Sequence, residues 1–147
     1  MKLKIPKVNI PWNWNFIIAF LLLYLIGAGL HEFGHYMVAK AFGQDIYLTF
    51  SGGDYGTAAS PMHEIIILIA GPLVTYSLMY LGLFLLLFSM RFKLFGVILV
   101  FLSGFQIFSP FDEAHAFSIL GLEPTLIYLY KIPLILVPFI ITYLSLA

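Results

Sequence analysis

The 147-residue chain has no cysteine, few charged residues and no excess of either sign of charge. Each shortage removes a class of protein. Without cysteine there is no disulfide framework and no thiolate metal site, so a transition metal would have to be held by histidine and carboxylate. Charged residues make up 10% of the chain and hydrophobic ones 62%, against about 25% and 45–50% in soluble domains. That balance predicts an integral, multi-pass membrane protein forming one domain over residues 1–147. Seven basic residues offset seven acidic ones; with no basic stripe or recognition motif, nucleic acid is not expected as a partner. Histidine is scarce as well, at four residues. That excludes the lipid-oxidising membrane enzymes, which need many more.

Four apolar segments stand out, at about Trp14–Ala41, Met62–Met90, Leu94–Phe108 and Pro124–Ala147. The first two are long enough for a hydrocarbon core of about 30 Å at 1.5 Å per helical residue. The third is short, and so crosses where the bilayer is thin or stops midway. The fourth carries Pro133 and Pro138 and should kink or begin irregularly. The fold class expected is an all-α membrane protein of about four transmembrane helices. Between the first two, Ile46–Phe50 is rich in strand formers and Ser51-Gly52-Gly53-Asp54 is a turn signal. A short hairpin or re-entrant loop and a plain surface loop both fit there. Although Met1-Lys2-Leu3-Lys4 precedes an apolar run, that run is too long for a signal peptide, and it reads as a retained span. Trp12 and Trp14 suit an interfacial belt at its start. Lys2, Lys4 and Lys7 precede the first span, and Arg91 and Lys93 separate the second and third. The opposite side has only Lys40, so the charge rule places the N-terminus in the cytoplasm. Lys131 is not placed by that count and would snorkel or line a polar cavity.

Inside the first apolar segment lies His31-Glu32-Phe33-Gly34-His35. On a helix, residues i and i+4 share a face, so both imidazoles can grip one zinc ion. Glu32, next to the first of them, is the candidate catalytic base, set to take a proton from a water at the metal. Ionisable groups in lipid are expensive and usually functional. A plainer reading, two histidines hydrogen-bonded inside a bundle, leaves Glu32 needing a partner of its own. Catalytic zinc commonly takes three protein ligands and keeps one position open. The third is sought among Asp45, Asp54, His63, Glu64, Asp112, Glu113, His115 and Glu123. Asp112 is preferred, because Pro110 breaks the third segment just before it and lets a carboxylate turn toward a neighbouring helix. With alternating crossings, that end lies level with His31 and His35. Asp112 as the N-cap of a following helix is the competing reading. His115 and Glu113 are alternative ligands; otherwise His115 is a polar interfacial residue and Glu113 faces water or a pocket mouth. Glu64 suits the start of the second helix, where its charge meets the dipole.

Three stretches, in order, resemble the site-2 protease family of intramembrane zinc metalloproteases. They are His31 to His35, Glu64 to Leu73 (EIIILIAGPL, similar to the family's Ala-Gly-Pro helix) and Pro110 to His115 (PFDEAH, similar to its Pro-Leu-Asp-Gly-Gly-His). The resemblance implies zinc held by His31, His35 and Asp112, with Glu32 catalytic and a transmembrane protein as substrate. It also implies cleavage in or near a membrane span. Departures are Glu113 and Ala114 for two glycines, Thr75 where the second helix often has Asn, and no Asn upstream of Asp112. The family sets its metal nearer the cytoplasmic face, whereas the charge count puts the His pair in the outer half. An alternative is an inactive metal-binding protein of the same fold, serving as chaperone or transporter. No regulatory PDZ or CBS domain is expected at this length.

Overall fold

In the computed structural model the described residues are 5–45, 47–49, 52–54, 60–89, 91–107 and 111–147. Helix starts follow their capping residues. The Asn13 side chain accepts the Phe16 N–H at 3.0 Å and opens α1, Trp14–Ala41. Lys40 lies in its last turn, favourable for the dipole, and Gly43 ends it at φ +75°. Ser60 caps α2, Pro61–Phe88, by accepting the His63 N–H, with Pro61 in the first turn. Next come α3, Lys93–Ile107, and α4, Phe111–Ile119. Gly121, at φ +69°, closes α4, and the Leu122 N–H reaches back to the Phe117 carbonyl. A single 3-10 turn at Pro124–Leu126 leads into α5, Ile127–Leu146, which stays helical through Pro133 and Pro138. The irregular start expected of this segment is that turn. Between α1 and α2, strands β1 (Tyr47–Thr49) and β2 (Gly52–Asp54) pair antiparallel, with Tyr47 opposite Asp54. Pro110, the expected helix breaker, lies outside the described residues, as do Ile46, Phe50 and Ser51.

The chain is helical, and α1, α2 and the Pro124–Leu146 helix are long and apolar enough to cross a membrane. At 15 residues α3 is about 22 Å long, short of a full core. α2 is the central helix. Its Met79 packs with Val100 of α3 and Ile135 of α5, and its Ile65 and Leu68 pack on Ala116 of α4. Glycines allow the closest approaches: a methyl on Gly34 of α1 would lie 2.9 Å from the Ala70 carbonyl oxygen, and one on Gly82 2.8 Å from that of Gly96. A methyl on Gly29 would meet nothing within 4 Å. The outward faces carry large exposed apolar side chains, among them Ile18, Leu21 and Leu25 on α1 and Leu129 on α5. Such a surface suits lipid, where helices satisfy their own backbone groups. The Val8 N–H bonds the Ser145 carbonyl, closing the N-terminal segment on the end of α5. The opposite end of the bundle gathers the end of α1, the start of α2, α4 and the start of α5, and the polar residues collect there.

A candidate metal centre

Helical spacing puts His31 and His35 on the face of α1 that meets α2, and α4 brings Asp112 to them. The His31 and His35 Nε2 atoms are 3.1 Å apart. Asp112 Oδ2 lies 3.1 Å from the first and 3.4 Å from the second. These are the edges of a small triangle. Ligand atoms at tetrahedral zinc, with bonds of about 2.0–2.1 Å, lie about 3.3 Å from one another. The three donors therefore match one face of a zinc tetrahedron, and among the described residues they form the one His/Cys/Asp/Glu cluster able to hold a metal ion.

The outer contacts of the rings strengthen the fit. His35 Nδ1 lies 2.6 Å from the Ile67 carbonyl oxygen, which can only accept, so the ring proton sits on Nδ1. His31 Nδ1 lies 2.9 Å from Thr75 Oγ1, and that hydroxyl donates to the Gly71 carbonyl. Thr75 is thus left to accept from His31. Both neutral rings then aim bare Nε2 lone pairs, beside a carboxylate, at one point. Three electron-rich atoms so close together call for a cation, and supporting acceptors of this kind fix metal-bound imidazoles elsewhere. Burial opposes the charge on Asp112. Only rings protonated at Nε2 outweigh that burial and hold the carboxyl below the usual carboxylate range; with the neutral tautomers, a cation takes that part.

α2 is shaped for this role. A methyl on Gly71 would overlap His35 Nε2 and lie 2.7 Å from the ring's Cδ2 and Cε1 atoms, so glycine lets the imidazole lie against the helix backbone. Pro72 lacks the N–H that would bond the Leu68 carbonyl, one residue on from the Ile67 carbonyl that accepts from His35. His35 is 1% exposed, while the side chains of His31 and Asp112 keep 19% and 30% of their surface, so the centre is sealed on one side and open on the other. Glu32 is half-buried on the same turn and near enough to His35 to interact with it electrostatically.

The other ligand candidates lie elsewhere. Asp112 sits inside the first turn of α4 and not at an N-cap position. His115 pairs with Glu64 at 3.0 Å on an exposed edge. Glu64 does occupy the first turn of α2, but Ser60 is the cap. Glu113 does not face water: it is 4% exposed and meets the Lys131 Nζ at 2.7 Å. A buried carboxylate and a buried ammonium offset part of each other's desolvation cost, which neither residue reveals alone. Lys131 accordingly does not snorkel. Asp45 is exposed beside Lys40, His63 stacks on Phe42, and Glu123 is exposed. The Asp54 side chain lies outside the described residues. Gly71 and Ile67 lie in the stretch likened to the Ala-Gly-Pro helix, but nothing in that stretch ties either of them to His35. No protein-family model, curated protein or solved structure matches the chain.

Proposed function

We propose that this chain is an intramembrane zinc metalloprotease of the site-2 protease kind, hydrolysing a peptide bond in or near a transmembrane segment of a membrane protein. The observation that carries the reading is the triangle of His31, His35 and Asp112 donors beside Glu32, at one end of an apolar helix bundle. Zinc held there supplies a Lewis acid for the scissile carbonyl and brings the pKa of a water toward 7. Glu32 takes a proton from the attacking water and returns one to the leaving amine. Thr75 and the Ile67 carbonyl hold the two imidazoles in their working tautomer. Substrate helices hide their peptide bonds, so a substrate has to unwind locally, and the β1–β2 ladder has edges onto which an extended segment can pair. A crossing by α3 brings the spans to four, and the Lys/Arg count favours a cytoplasmic N-terminus.

The test uses purified protein and a membrane-embedded substrate. Wild type should contain about one zinc per chain, and Asp112→Ala should lose it. Glu32→Gln should keep the zinc and lose cleavage. Zinc retained by Asp112→Ala would remove the triangle from the argument. Cleavage unchanged in Glu32→Gln would favour the metal-binding chaperone or transporter instead.

A further inference from the structure

α4 delivers Asp112, yet little of α4 is buried. It has nine residues, of which Glu113 and Ala116 are buried. On one side Ala116, Phe117 and Leu120 border a cavity of about 340 Å³ toward α2 and α5. Protein leaves that side of α4 unfilled, while a zinc site needs its donor distances within about 0.2 Å of the standard values. Three polar contacts tie α4 to three different helices. Asp112 reaches α1, His115 reaches Glu64 of α2, and Glu113 reaches Lys131 of α5. The His115 pair is well exposed and contributes little. The Glu113–Lys131 pair differs: its side chains are 5% and 3% exposed, and the Tyr76 hydroxyl of α2 donates to the same carboxylate at 3.4 Å. Apolar residues fill such a place without the cost of desolvating two charges, and often with equal stability. Stability alone is therefore a weak reason for an ion pair here.

We propose that the buried Glu113–Lys131 ion pair positions the metal centre, fixing α4 on α5 so that the neighbouring Asp112 carboxylate meets the two imidazoles. This rests on reading His31, His35 and Asp112 as a metal centre. Glu113 and Lys131 are positioning residues, since neither touches the donor triangle.

The test replaces zinc with Co²⁺ in the purified full chain, and reads affinity by chelator competition and geometry by the visible absorption of the ion. The variants are the double substitution Glu113→Leu with Lys131→Met, and Glu113→Gln, which keeps shape and hydrogen bonding but ends the ion pair. Helix content and thermal midpoint are followed in parallel. With the midpoint kept, the expected result is Co²⁺ affinity lower by about 10–100-fold, as for lost supporting partners of metal ligands, with a changed visible spectrum. Wild-type affinity and spectrum in a folded variant overturn the positioning role while leaving the metal centre intact. Wild type that binds no Co²⁺ overturns the metal centre, and the positioning role with it. Loss of the fold in both variants makes the pair structural and also overturns the proposal.

Discussion

Gly71→Ala adds one methyl group at the place where α2 meets His35. The new carbon would overlap His35 Nε2 and stand 2.7 Å from the two ring carbons beside it, against an ordinary contact of at least 3.4 Å, so the ring has to retreat by more than about 0.7 Å. It cannot do so freely. Its Nδ1 is tied to the Ile67 carbonyl at 2.6 Å, and its Nε2 sits 3.1 Å and 3.4 Å from the other two donors. The required movement is several times the roughly 0.2 Å that a zinc bond tolerates. Zinc affinity should therefore fall by at least the ~10–100-fold typical of a lost supporting contact.

Stability separates this account from a general packing defect. Alanine in a helix interior gains about 1 kcal/mol over glycine, while overpacking costs about 1–3 kcal/mol. These terms offset in part and leave a net cost of about 0–2 kcal/mol, so the metal-free protein should stay folded with a thermal midpoint lower by some degrees. Gly29→Ala is the matched control, because a methyl there meets nothing within 4 Å. The assay is zinc competition against a calibrated chelator, with melting of the metal-free proteins alongside. Wild-type zinc affinity in Gly71→Ala would refute the claim that His35 is held as a ligand against this backbone.

Three further outcomes are expected. Thr75→Val removes the acceptor for His31 Nδ1 and should weaken zinc about 10–100-fold, whereas Thr75→Ser should stay near wild type; equal affinity in all three chains would dismiss the hydroxyl. Stripping metal from wild type should lower its thermal midpoint, because a ligand bound only by the folded state stabilises it, and Asp112→Ala should show no such drop. The chain lacks cysteine, so single cysteines report topology cleanly. With sealed cytoplasm-inside vesicles and an impermeant maleimide, Asp45→Cys should label and Lys7→Cys should not; the reverse pattern would overturn the charge-rule orientation.

What could be read from the sequence divides along a physical line. The His31–His35 spacing is local, because helical periodicity alone puts both rings on one face. Asp112 is 81 positions from His31, yet it was reachable: a charge at the end of an apolar segment needs a reason, and few carboxylates compete for the role. The helix limits followed from apolar runs, so the four segments recur nearly residue for residue. Glu113 was misread for the opposite reason. Its burial depends on Lys131, 18 positions away across the Gly121 turn, and no pattern on either residue announces the other. Gly71 is harder still, since its part is to have no side chain where His35 lies, and a missing atom has meaning only once two helices are packed. The same logic explains why the pair at 113 and 131 carries more weight than the exposed Glu64–His115 contact. Both join neighbouring elements, but only the buried pair sits beside a ligand on a helix with open space behind it. There a fixed length between two charges can set a position that apolar packing leaves loose.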